Sequence, residues 1–129
     1  MYELFVDPAN ARVDADADAA QVRRWAYGVP WGVWERETGE LVGDCSIHYD
    51  TTFADWELSY GFRRDRWGRG YASEAARAVV RYGFETMRVS RIVADVDPSN
   101  AASARILEKC GFVRVRELDD GRLFYAVTR

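Results

Sequence analysis

The sequence predicts an α/β fold of the α+β kind, a mixed sheet with helices packed on it. Short segments alternate apolar and polar residues with period two, and longer ones carry a helical period or helix caps. The two kinds follow one another in the order α, β, β, β, α, β, α, β, β, which builds one layered core. At 129 residues the chain is expected to be one domain, residues 1–129, because domains run to about 100–150 residues.

The elements follow in order. Met1–Val6 could end a helix, and Asp7-Pro8 breaks it. Ala15–Tyr27 reads as a short helix with Ala19, Val22, Arg23 and Ala26 along one face. Trp31–Arg36 and Leu41–Tyr49 read as a hairpin around Glu37-Thr38-Gly39-Glu40. Asp50–Asp55 is a loop. Trp56–Phe62 is a strand, with Trp56, Leu58, Tyr60 and Phe62 on one face and Glu57, Ser59 and Gly61 on the other. Gly70–Arg88 has helical period, with Ala72, Ala76, Val79, Val80, Gly83, Phe84 and Met87 sharing a face. Arg91–Val96 is a β-branched strand. Asp97-Pro98-Ser99-Asn100 stops it and caps a helix running to Lys109, where Cys110-Gly111 suits a left-handed cap. Phe112–Glu117 and Leu123–Thr128 close as a hairpin around Asp119-Asp120-Gly121.

Composition excludes several classes. With 48% hydrophobic and 14% aromatic residues, the chain has ample surface to bury and is not disordered. No apolar run approaches the ~20 residues that span a bilayer, and no signal peptide opens the chain, so no membrane partner is expected and the cytoplasm is the default location. Cys45 and Cys110 make no disulfide scaffold, and a single histidine rules out a His-rich metal site. His48, on a strand, reads as a surface or hydrogen-bonded residue. A net charge of −3 argues against nucleic acid as a partner. Within this acidic chain Arg63, Arg64, Arg66 and Arg69 crowd one loop, which suggests a small anionic ligand.

The loop Trp67-Gly68-Arg69-Gly70-Tyr71-Ala72-Ser73-Glu74-Ala75 leaves a strand and opens the long helix. Unpartnered N–H groups at a helix start attract anions, and the helix dipole adds to this. The loop reads either as a phosphate or pyrophosphate cradle or as a plain helix entry with turn glycines. Its spacing matches neither the dinucleotide fingerprint nor the Walker loop.

These residues, followed by a long helix, a strand, Asn100-x-x-Ser103 and Lys109-Cys110-Gly111-Phe112, resemble the GCN5-related N-acetyltransferases (GNAT). Within them the chain is similar to the branch of ribosomal-protein N-terminal acetyltransferases, through Glu57-Leu58-Ser59-Tyr60 and Thr38-Gly39-Glu40-Leu41-Val42-Gly43. The resemblance covers Trp31 to Val127. It implies a mostly antiparallel sheet splayed between two central parallel strands, Trp56–Phe62 and Arg91–Val96, with helices on both faces. It also implies acetyl-CoA as cofactor, a primary amine as acceptor, and a homodimer as a common assembly.

The resemblance assigns roles. Backbone groups of Gly61, Phe62 and Arg64 pair with the pantetheine arm, and those of Arg69, Gly70, Tyr71, Ala72 and Ser73 hold the pyrophosphate. Arg64 or Arg66 reaches the 3′-phosphate, as an alternative to a solvated loop charge, and Asn100 orients the cofactor or simply caps its helix. Many members carry a tyrosine acid where this chain has Leu107, so Ser103 is the candidate to meet the leaving thiolate; its other reading is a helix-start serine bonded to the backbone. Glu57 is the expected base, with Asp95 a weaker candidate and an exposed strand charge the bland reading. Relatives begin with a further strand, so the N-terminus is expected to be short. Two rivals stand beside the enzyme: a non-catalytic acyl-CoA-binding or interaction module, and an unrelated nucleotide-binding α/β domain.

Overall fold

The computed structural model describes residues 28–129; the helix expected over Ala15–Tyr27 and the acidic Asp14–Asp18 lie outside them. The described residues form six strands and two α-helices. They are β1 (Gly28–Trp34), β2 (Leu41–Asp50), β3 (Asp55–Phe62), α1 (Tyr71–Glu85), β4 (Arg91–Val96), α2 (Ala101–Lys109), β5 (Val113–Glu117) and β6 (Leu123–Thr128). One sheet holds the strands in the order β1-β2-β3-β4-β6-β5. Every neighbouring pair is antiparallel except β3 and β4.

The expected elements are present with shifted ends. β1 stops at Trp34 rather than Arg36, because Glu35 already turns: its N–H donates to the Glu40 carbonyl at 2.9 Å and its own carbonyl accepts from Gly39 N–H at 2.8 Å. α1 ends at Glu85 rather than Arg88. Arg88 takes φ +61°, and Val89 N–H reaches back to the Gly83 carbonyl at 3.1 Å. The helical period ran on to Met87 because that side chain still packs against the core. Asn100 caps α2 as expected, its Oδ1 accepting from Ser103 N–H at 3.0 Å, and Gly111 beyond the helix has φ +88°.

The larger core cluster lies between the sheet and both described helices. Val79 and Ala76 of α1 and Leu107 of α2 meet Ile47, Leu58 and Ile92 of the sheet there. α1 lies close because residue 83 is glycine: a Cβ there would meet Ile47 Cδ1 at 2.8 Å and Ile92 Cδ1 at 2.9 Å. The other face carries a smaller cluster of Val93, Phe124 and Ala126, with Phe53 and Leu118 against it. Among the described residues no helix is long and apolar enough to cross a membrane.

The parallel pair matters most for function. β3 and β4 register only at Trp56↔Ile92 and Glu57↔Val93. Beyond Glu57, β3 continues to Phe62 along β2 while β4 continues to Val96 along β6. The two central strands therefore part within the sheet, at the place the resemblance implied.

Candidate active site

The cradle begins where β3 ends. After the 3₁₀ turn Arg64–Arg66, Gly68 and Gly70 take φ +80° and +81°, left-handed angles that favour glycine. Gly70 is the N-cap of α1, and no side chain caps that helix end. The backbone N–H groups of a helix start lie at the positive end of its dipole. A Cβ at either glycine would meet nothing within 4 Å, so the space before the helix is open. It is part of a cavity of about 460 Å³ lined by Gly61, Phe62, Gly68, the Gly70–Ser73 turn, Asn100 and Ser103. An open, uncapped, glycine-edged helix start fits a pyrophosphate.

Glu35 ties this end of α1 to the first hairpin. Only 3% exposed, its carboxylate accepts from the Tyr71 hydroxyl, from Thr38 Oγ1 at 3.0 Å and from an Arg69 guanidinium nitrogen at 3.2 Å. Arg66 Nε also lies 3.2 Å from it, off the hydrogen-bonding direction. The Tyr71 hydrogen bond, followed by Thr38 and the two arginines, holds the Glu35 carboxyl below its ordinary range against the opposing effect of burial.

The far wall carries two hydroxyls. Tyr60 Oη and Ser103 Oγ are 2.7 Å apart, and both residues line the cavity. Burial pushes the Tyr60 phenol up, partly countered by Ser103, so the pair remains a proton donor at neutral pH. Leu107 is fully buried in the core and does not line the cavity.

Glu57 lies on the opposite face of β3, at the last registered pair before the strands part. It is 8% exposed, so it is not the exposed strand charge of the bland reading. His48 is its cross-strand partner on β2; the two are in register, with His48 Nε2 3.3 Å from Glu57 Oε2. His48 itself is 7% exposed, which corrects a surface placement and leaves the hydrogen-bonded one. Burial is the main cause that pushes the Glu57 carboxyl up, to about 7, with neighbouring Asp95 and Asp50 adding to it and His48 opposing. A carboxyl titrating there can take a proton at neutral pH.

The structure places the other residues predicted from sequence in different surroundings. Gly61, Phe62, Gly70, Tyr71, Ala72, Ser73, Asn100 and Ser103 come together around the cavity. Arg64 and Arg69 do not line it: the Arg64 guanidinium sits 5.4 Å from the Trp67 ring centre, and Arg69 pairs with Glu35. Arg66 lines it, yet its guanidinium is engaged with Glu35, Glu40 and Asp65. Asp95 pairs with Arg122.

Arg105 and Lys109 of α2, to which the sequence pattern assigns no site role, are the other cations on the cavity wall. Their spacing of four on one helix face was the available signal. Tyr60 and Glu35 were also missed as functional residues. Neither thiol is poised to carry an acyl group, since burial raises both Cys45 and Cys110.

Comparison with known proteins agrees with this geometry. A family model described as an acetyltransferase (GNAT) domain matches residues 2–113. The chain is 40% identical over 108 residues to the uncharacterised N-acetyltransferase YoaA of Bacillus subtilis, covering 83% of this chain and 59% of that protein. It is 30% identical over 146 aligned residues to the FsC-acetyl coenzyme A-N(2)-transacetylase of Aspergillus fumigatus, covering 94% of this chain and 62% of that one. The chain thus spans about three fifths of the length of these curated relatives. An acetyltransferase crystal structure from Agrobacterium tumefaciens superposes with a TM-score of 0.73 at 26% identity, covering 95% of this chain and 80% of that one. Family model, relatives and fold coincide: the chain belongs to the GNAT acetyltransferase family.

Proposed function

We propose that this chain transfers acetyl from acetyl-CoA to a primary amine, on a protein N-terminus or a small molecule, by direct attack in a ternary complex. The observation that carries this reading is the parting of β3 and β4 after two registered pairs, with the cavity and its hydroxyls on one side and Glu57 on the other. Such an opening lets a donor lie on one face and an acceptor approach from the other. The relative from Aspergillus, named for acetyl coenzyme A, supports the choice of donor.

The chain's own residues would work as follows. The N–H groups at the start of α1, from Gly70 to Ser73, hold the pyrophosphate. Arg105 and Lys109 meet the remaining phosphate charge, and the β3 backbone past the parting, at Gly61 and Phe62, pairs with an extended arm as a strand would. When bound, acetyl-CoA supplies an acetyl group activated as a thioester. Glu57 accepts a proton from the acceptor amine. Main-chain N–H groups of β3 polarise the reacting carbonyl. The Ser103–Tyr60 pair donates to the sulfur side.

The test is thiol release from acetyl-CoA against a panel of peptides, polyamines, amino acids and aminoglycosides. Amine-dependent release is expected. Coenzyme A binding without release across the panel would favour a non-catalytic acyl-CoA-binding module.

A further inference from the structure

The base proposed above sits among other titrating groups, and its face of the sheet sets them out. Glu57 and His48 are directly opposite on antiparallel strands, so both side chains emerge on the same face. Asp50 lies two residues along β2 on that face. One donor atom each of His48, Asp50 and Glu57 fall within 4.8 Å of one another. From the other side, Asp95 of β4 stands two residues past Glu57's partner Val93 and pairs with Arg122 of the turn before β6. Asp50 is held by Thr52 and Phe53 N–H at 2.8 and 3.0 Å. Further along the edge, Asp55 is paired with Arg91 at 2.7 Å.

Glu57 therefore faces two carboxylates that already have donors of their own, and one imidazole. Among the described residues, His48 is the one basic group in direct contact with it. Without that contact, two nearby negative charges and burial would both favour the protonated carboxylic acid, which cannot take a proton from an amine.

We propose that His48 is a positioning residue that donates to Glu57 Oε2 and keeps Glu57, beside the carboxyls of Asp50 and Asp95, available as the ionised base. This rests on Glu57 being the base. The proton balance is simple: the amine N–H bond breaks, the Glu57 O–H bond forms, and the proton then leaves through His48 or the solvent-touching Asp50 to water. His48 ends each cycle as it began.

The direct test follows the Glu57 carboxyl by ¹³C NMR in protein labelled at glutamate, assigned with Glu57→Gln. In His48→Leu its titration midpoint should rise by about one pH unit, the usual size for losing such a partner. In His48→Gln, whose amide N–H can still donate, it should stay within a few tenths. Should the leucine variant not fold, His48→Asn, too short to reach Oε2, replaces it with the same expectation. An unmoved midpoint, or an equal movement in the leucine and glutamine variants, overturns the proposal. The outcome is separable from the reading beneath it: if Glu57→Gln keeps full turnover, Glu57 is not the base, whatever His48 does to its titration.

Discussion

Two buried glutamates, Glu35 in the turn between β1 and β2 and Glu57 on β3, behave in opposite ways. Glu35 and Glu57 are 3% and 8% exposed. Glu35 accepts from Tyr71, Thr38 and Arg69 and has the Arg66 guanidinium beside it, and its carboxyl is held below the ordinary range. Glu57 has one basic neighbour and two acidic ones, and burial lifts it to about 7. Burial raises both, but at Glu35 the donors outweigh it, whereas at Glu57 it is the largest influence. A carboxylate answered by cations and hydroxyls fastens structure, here the cradle end of α1. One left among like charges keeps a titration useful for chemistry.

The largest expected effect breaks what Glu35 fastens from the ligand side. Gly70→Glu should reduce coenzyme A affinity at least 100-fold by calorimetry, because its carboxylate would face the pyrophosphate, while circular dichroism still shows a folded chain. Unchanged affinity would refute the cradle. Next is Glu57→Gln, which should lower turnover about 100-fold at pH 7.5 with little change in acetyl-CoA KM, as for loss of a general base. A loss under about threefold would remove Glu57 from that role.

Glu35→Gln should do the reverse. Coenzyme A affinity should fall about tenfold and turnover at saturating acetyl-CoA should barely change, since the loop is loosened and the base untouched.

Stability against pH sharpens the same contrast. Glu35's lowered carboxyl contributes stability present above its ordinary value of 4.5 and lost as pH falls through the lower folded value. Glu57's folded value near 7 lies above its ordinary 4.5, so its contribution declines as pH rises from about 4.5 to 7. Melting temperatures should therefore show Glu57→Gln gaining on the parent chain across that window, whereas Glu35→Gln shows its full deficit above pH 4.5 and closes it as pH falls below 4.5.

Smaller effects are expected on the cavity wall. Arg105→Ala with Lys109→Ala should weaken coenzyme A more than its 3′-dephospho form, and Tyr60→Phe or Ser103→Ala should slow turnover about 3- to 10-fold.

Local patterns made most of the fold legible. The two-residue alternation of Trp56–Phe62, the helical face from Ala72 to Val80 and the Asn100 and Gly111 caps each depend on neighbours in sequence, and each element is present. The end of α1 was misplaced because Met87 still packs against the core after the helix has ended at Glu85. Glu35–Tyr71 and Tyr60–Ser103 join residues 36 and 43 apart, and no local pattern announces such pairs. Likewise His48 gave no sign of its burial, which follows from its register opposite Glu57. The loop arginines were over-weighted because a run of charge in sequence says nothing of the carboxylates, Glu35 and Glu40, that fold back onto it.

The pH dependence of kcat/KM for acetyl-CoA-dependent acetylation, in the parent chain and in Glu57→Gln, tests the assignment of Glu57 most directly. The parent profile should rise through an acidic limb near pH 7, matching the raised Glu57 carboxyl. That limb should be missing from the residual activity of Glu57→Gln. The same limb in both proteins would contradict the assignment and place the base elsewhere.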